Sequence, residues 1–330
     1  MRLLLLALFC SLFFSCGAET PAPQLFTIVS YNVQNLMDAH LDGTEYSEYT
    51  PDGGWTDAAY KARLSRLSQV LRTSEIRDAD VLVLQEVEHR GVMEDLMRLH
   101  LSRSGWTYFA VVKDPSSPIG IGIASKVEPE FVRSHHGHTG RPILEASFSV
   151  GGQRIILYGV HGKSQIGTDT EEARIDMART VASAASEWND ALVVVCGDFN
   201  EDPDVSRTAG EQTALVLLDL PSTALYTQNG SLPVTGNRSR VSGPVWYSPY
   251  LDSSLDLGKG SYVYQSVWHR FDQMLGQGAL FDGKGWDFLD FSILSQPLVC
   301  NADGTPFAWD RTLLSGYSDH FPIRIRLIGT

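Results

Sequence analysis

Short apolar runs that stop abruptly at polar residues recur along this chain. LFTIVSY (Leu25 to Tyr31) stops at Asn32, and VLVLQ within Asp80–Glu86 stops at Glu86. RIILYGV within Arg154–His161 stops at His161, and LVVVC within Leu192–Phe199 gives way to Gly197, Asp198 and Asn200. Runs this short, rich in β-branched residues and without strict alternation, predict strands buried on both faces. Further strands are expected at Thr107–Val112, Ile119–Ala124, Tyr262–Gln265, Arg270–Leu275, Phe288–Leu294 and Ile323–Leu327. Leu144–Val150 and Arg154–His161 predict a hairpin across Gly151-Gly152. Leu64, Leu67, Val70 and Leu71 recur at helical spacing, which predicts a helix over Ala58–Ser74 with Thr56 as its N-cap. Gly91–Leu101 and Thr170–Trp188 also read as helices. Interleaved strands, helices and hairpins imply an α/β chain with a mixed sheet system covered by helices.

Tyr226–Gly260 lacks clear periodicity. It holds Arg238, Arg240, Trp246, Tyr247 and Tyr250. Two readings stay open for it: a functional cover that clamps phosphates and stacks bases, or a packed insertion.

The 330 residues, 43% of them hydrophobic, suit one large domain over 25–330 behind a leader. In the leader, Arg2 precedes an apolar run from Leu3 to Phe14, and Ser15-Cys16 follows. An apolar run of about 12 residues is short for a bilayer span and fits an export signal. Phe-Phe-Ser-Cys resembles a bacterial lipoprotein signal over 1–16, with Cys16 as the lipidated residue and 17–24 as a tether. Ordinary cleavage near Ala18 is the alternative. The expected location is therefore periplasmic, outer-membrane or cell-surface as a lipoprotein, or secreted.

Net charge is −13, so affinity for nucleic acid through a generally basic surface is excluded. An acidic protein still acts on phosphates where a bound cation inverts the local field. Beyond the leader only Cys196 and Cys300 remain, with no CxxC pair and no zinc spacing. A disulfide between them is permitted but not required. His135, His136 and His138 either bind a metal or form a polar loop beside Gly137 and Gly140; no acidic residue lies in that stretch, which favours the loop.

The polar residues at the strand ends form a set: Asn32, Glu86, His161, Asp198, Asn200, and Asp319-His320 ahead of the last strand. Any one of these reads as a turn or cap. Gathered at one crevice, they have a chemistry. Oxygen donors without cysteine suit Mg²⁺, Mn²⁺ or Ca²⁺. Two imidazoles suit proton transfer. Both together suit hydrolysis of a phosphate ester.

SYNVQN, LQEVE, HGKS, GDFN and SDHFP, in this order, resemble the endonuclease/exonuclease/phosphatase superfamily with its DNase I-like nucleases. RFDQML (Arg270 to Leu275) fits a sixth motif. The resemblance spans about Phe26 to Leu327. It implies a four-layer α/β/β/α sandwich and a divalent-metal-dependent hydrolase. By the same resemblance Glu86, with Asn32 and Asp319, would serve the metal. Asp198 would orient or deprotonate the attacking water, and Asn200 would hold that water and the phosphate. His320 would bind or protonate at the scissile phosphate, and Asp272 would fix its tautomer. His161 would be the second catalytic histidine. Arg141 resembles a phosphate-contacting arginine, and Lys163 would add positive charge; each also reads as an ordinary surface residue.

One departure stands out. Relatives supply a polar partner for the second histidine from the segment before the RPIL-type strand. Here that segment is apolar from Ile119, with Gly122 at the expected place and Asp114 as the remaining candidate. The function expected is an exported nuclease acting on DNA or RNA, as a monomer. A phosphatase, or an enzyme acting on inositol phosphates or sphingomyelin, is the alternative within the fold. A surface-binding lipoprotein without catalysis is the third reading.

Overall fold

The computed structural model describes residues 24–138 and 141–329, so the leader and the tether up to residue 23 lie outside the described residues. Two large sheets dominate it. The first has six strands in the order Trp286–Ile293, Ile323–Gly329, Leu25–Leu36, Val81–Val87, Gly120–Ser125 and Tyr108–Val112. The second has eight: Phe131–His135, Ile143–Val150, Gln153–His161, Leu192–Asp198, Asp272–Gln277, Trp246–Tyr247, Leu232–Thr235 and Leu215–Leu217.

Period-2 alternation assigns each strand residue to a layer. Ile28, Val81, Val83, Ile155, Leu157, Val194, Cys196, Met274 and Ile325 pack between the two sheets. Their neighbours Val29, Tyr31, Leu82 and Leu84 face the helix Asp57–Leu71 instead. Ile156, Tyr158, Val160, Val193 and Val195 face the helix Thr170–Ala185. These central strands are apolar on both faces because both faces are covered. Each such aliphatic side chain contributes about 1.5–3 kcal/mol on burial. The result is the four-layer α/β/β/α sandwich.

Local signals behave as their chemistry demands. The Thr56 side chain accepts from Ala59 N and starts the first helix. Gly151 and Gly152, at φ +59° and +81°, make the two-residue hairpin loop that residues with a Cβ disfavour. The helix expected over Gly91–Leu101 is α-helical only at Arg90–Asp95 and continues as a π-helical turn over Leu96–His100.

The span 226–260 is not a cover. Leu232–Thr235 and Trp246–Tyr247 are strands of the second sheet. Trp246 and Tyr247 are fully buried, and Tyr250 nearly so. Arg238 is held by Asp252, and Arg240 by Asp219. The three aromatics pack into the sandwich as an insertion would, while Arg238 and Arg240 stay exposed in their ion pairs. Cys196 and Cys300 are both free thiols. No helix among the described residues is long and apolar enough to cross a membrane.

Candidate active site

The face between the sheets changes from apolar to polar at one end. Along the first strand the inward positions run Ile28, Ser30, Asn32. In the second sheet they run Leu157, Gly159, His161, then Val194, Cys196, Asp198, then Met274, Asp272. Register brings the last three level. His161 pairs with Asp198 across parallel strands, and Asp272 pairs with Asp198 across antiparallel ones. Residues directly opposite share a face, so all three side chains emerge together toward the first sheet.

Glu86 does not fit this alternation: Val81, Val83 and Gln85 are the inward positions of its strand. A bulge resolves the conflict. The register shifts between Gln85 and Val87, and Glu86 takes φ +68°. A matching shift lies between Asn32 and Leu36, with Gln34 and Asn35 at positive φ. Bulges re-aim side chains, and backbone held in this region marks strained, over-determined sites. Here the bulges turn Glu86 toward Asn32.

Asn32 joins the two sheets. Its Nδ2 donates to Glu86 Oε1 and to Asp198 Oδ2, both at 3.0 Å, while its Oδ1 accepts from Gln34 N. Glu86 Oε2 accepts from Asn35 N at 2.8 Å. Asp198 accepts through Oδ1 from Asn200 N at 2.7 Å, and through Oδ2 from Asn200 Nδ2 at 3.1 Å. Asn200 Nδ2 also donates to Gly162 O, which accepts from Arg141 Nη1 as well. Arg141 is thus half-buried beside the carboxylates, whereas Lys163 is exposed.

His320 Nδ1 lies 2.8 Å from Asp272 Oδ2, and Nε2 lies 3.9 Å from Asp198 Oδ2. Ser261 Oγ donates to the same Asp272 oxygen. The Tyr262 ring stacks on the His320 ring with centroids 4.4 Å apart. His161 Nε2 lies 3.5 Å from Glu86 Oε1 and 3.8 Å from Asp198 Oδ2. Asp114 does not serve it: its carboxylate closes a turn on Ser116. Of the two carboxylates that approach the His161 ring, Glu86 lies nearer, at 3.5 Å.

The two imidazoles differ in charge state. Burial pulls His320 down, but Asp272, Asp198 and Asp319 outweigh it and lift its pKa to about 10. His161 falls well below the ordinary histidine value, through burial and then the positive charges of Arg141, His320 and Lys163. One ring is a cation near neutrality and the other is neutral. Burial raises Asp198 to about 7, with His320 opposing and Asp272 adding to the rise. Glu86 is raised by burial and then by Asp319. Glu86 and Asp319 therefore oppose each other's charge, and a divalent cation between hard oxygen donors is what such a pair fits.

Several participants escaped sequence reasoning. Gln34 Oε1 accepts from Trp309 N and Asp319 N and so places the SDH turn. Ser318 Oγ donates to Asn32 O at 2.7 Å. Arg63, fully buried, donates to Tyr317 O and Val33 O beneath the site. An arginine on the core-facing side of a helix, in step with Tyr60 and Leu67, was a readable signal for it. His135, His136 and His138 take no part: His135 meets Glu145, His136 meets Ser134, and none of the three joins a three-ligand group among the described residues.

Comparison with known proteins agrees with this fold. The profile described as "Endonuclease/Exonuclease/phosphatase family" matches residues 29–320. Among solved structures, D. rerio TDP2 humanized by 14 mutations has a TM-score of 0.58 at 18% identity, covering 92% of this chain and 98% of its own. D. rerio TDP2 complexed with single strand DNA product gives 0.55 at 17%, with coverage of 92% and 98%. The beta toxin of Staphylococcus aureus, as a mutant with bound magnesium ions, gives 0.55 at 14%, with coverage of 92% and 99%. Among curated proteins, no sequence matches this chain.

Proposed function

The chain belongs to the endonuclease/exonuclease/phosphatase family and is a metal-dependent phosphoric-ester hydrolase; from that premise we propose that it is an exported nuclease cutting phosphodiester bonds in DNA or RNA. The observation that carries the reading is the opposed pair at the junction of the sheets. A protonated His320 and the Asp198 carboxyl lie 3.9 Å apart, each fixed by its own hydrogen bonds.

In this reading Asp198, when ionised, takes a proton from the attacking water as oxygen bonds to phosphorus. The bond from phosphorus to the leaving oxygen breaks, and that oxygen takes the proton held on His320 Nε2. Asp272 keeps Nδ1 engaged, so Nε2 is the nitrogen that faces the substrate. Asn200 and Arg141, tied to the same Gly162 carbonyl, hold the phosphoryl oxygens, with Lys163 adding charge from the rim. Neutral His161 supplies a hydrogen bond rather than a charge. Glu86 and Asp319, with Asn32 bonded to Glu86, would hold a divalent cation, Mg²⁺ with Mn²⁺ or Ca²⁺ as alternatives, whose charge would polarise a phosphoryl oxygen.

Two observations support a nucleic-acid substrate. The sandwich is similar to that of D. rerio TDP2, whose structure holds a single strand DNA product. Trp246, Tyr247 and Tyr250, the aromatics of the 226–260 span, are buried in the sandwich and so offer no surface for entering a membrane. Export rests on the leader, with Cys16 as the lipid attachment point and the domain carried outside the cytoplasm as a monomer.

The test is nicking of supercoiled plasmid by the chain from Gly17 with Mg²⁺ or Mn²⁺. Nicking lost with EDTA and with His320→Ala is the expected result. A folded protein that leaves plasmid and RNA intact across metals, yet releases phosphate from inositol phosphates or cleaves sphingomyelin, would overturn the nuclease reading.

A further inference from the structure

Beyond the catalytic carboxylates, a second set of acidic residues converges behind the first strand. Asp38 follows the bulge of that strand, Glu88 lies just past the end of the Val81–Val87 strand, and Asp42 and Glu45 sit on the turn between them. Ligand-type atoms of Asp42, Glu45 and Glu88 all lie within 4.8 Å of one another, and so do those of Asp38, Glu88 and His89. Glu88 belongs to both groups and is completely buried. Its Oε2 accepts from Asp38 N at 2.6 Å. Its Oε1 is enclosed and has no hydrogen-bond partner. A buried carboxylate oxygen without a donor is costly, and it points to a ligand that supplies positive charge.

The chemistry selects the ligand. His89 Nδ1 accepts from Gly91 N and Val92 N, so the neutral ring carries its proton on Nε2. That N–H faces Asp38 Oδ2 at 3.2 Å, with Asp42 Oδ2 at 3.7 Å. His89 is therefore a donor inside the cluster and not a metal ligand. What remains is a set of three carboxylates, Asp42, Glu45 and Glu88, with Asp38 joined to Glu88 through its backbone N–H. Lys113, bonded to Thr44 Oγ1, offsets one of these charges. An all-carboxylate set, partly on a turn and without nitrogen or sulfur ligands, suits a hard cation that tolerates irregular geometry.

We propose that Asp42, Glu45 and Glu88 form a second divalent-cation site, selective for Ca²⁺, that pins the 38–45 segment to the end of the Val81–Val87 strand. Trp55 Nε1 donates to Asp38 O at 2.5 Å, so a buried indole lies against the site. The site shares no ligand atom with Glu86 or Asp319, and it stands whether or not the substrate is a nucleic acid.

Terbium(III), a luminescent stand-in for Ca²⁺, tests it, with excitation through tryptophan. Four proteins are compared: the wild-type mature chain, Glu86→Gln/Asp319→Asn, Asp42→Asn/Glu45→Gln, whose substituted side chains lie on the loop after the first strand, and the quadruple variant that combines both pairs. Wild type and Glu86→Gln/Asp319→Asn are expected to give sensitised emission that Ca²⁺ displaces. Asp42→Asn/Glu45→Gln is expected to lose terbium affinity by about tenfold or more. Ca²⁺ should also raise the Tm of Glu86→Gln/Asp319→Asn, and the quadruple variant should lose that rise. Absent emission in wild type, unchanged affinity in Asp42→Asn/Glu45→Gln, or loss only in Glu86→Gln/Asp319→Asn would overturn the proposal.

Discussion

His320 Nδ1 and Asp272 Oδ2, 2.8 Å apart, are contributed by different sheets: Asp272 opens a strand of the second, and His320 precedes the last strand of the first. The bond sets both the tautomer and the charge of the ring. Asp272→Asn removes the leading cause that raises His320, so its pKa falls toward the ordinary value of about 6.5. The alkaline limb of kcat/KM should move down by more than one pH unit, and kcat should fall on the order of 10³–10⁴-fold. The stability sign follows. A histidine raised in the folded state stabilises fully below about 6.5, and the contribution is lost as pH climbs through about 10. Urea midpoints between pH 7 and 10 should fall more steeply for wild type than for Asp272→Asn. Parallel curves would sink the assignment.

Asn32→Ala leaves the Glu86 and Asp198 carboxylates without their shared donor. A lost hydrogen bond to a charged, buried acceptor costs about 1.5–3 kcal/mol. Chemical denaturation at neutral pH should show a loss of that size, and activity should drop by about 100-fold through displaced carboxylates. Since both carboxyls gain from protonation once the donor is gone, the stability deficit should shrink as pH falls toward 5.

Tyr262 stacks on a His320 ring that is charged, so its face rather than its hydroxyl matters. Tyr262→Phe should retain most activity. Tyr262→Leu should lose about 0.5–2 kcal/mol of cation–π stabilisation and lower the alkaline limb. Matching pH profiles for the two variants would contradict a role for the ring.

Gly197 precedes Asp198 at φ +142°, and a Cβ there would lie 2.0 Å from Val160 O. Backbone cannot step aside as a side chain can. Gly197→Ala should cost more than about 3 kcal/mol, combining strain with the clash, and should lower soluble yield together with activity.

Much of the site was legible because it obeys period 2. Asn32, His161 and Asp198 each end an apolar run in phase with inward-facing residues, so pattern and motif agree. Glu86 broke that phase, and only a bulge, invisible to periodicity, places it. The short strands Leu215–Leu217, Leu232–Thr235 and Trp246–Tyr247 were missed for a similar reason: two to four residues carry no period. The same gap made 226–260 read as an aperiodic loop, although its aromatics pack the sandwich. Gln34 and Ser261 left no signal because their work is done through contacts across 285 and 11 residues of chain. The family profile and the similar folds match what the motif order implied for the fold.

The bonds Asn32–Asp198 and His320–Asp272 both bridge the gap between the sheets, and neither closes within one of them. Catalysis is thereby made a gauge of how the two halves of the sandwich are seated. A small slip of one sheet over the other would disconnect both pairs while leaving every strand ladder intact. During gradual denaturation, turnover should therefore fade at a lower urea concentration than the far-ultraviolet signal of the sheets.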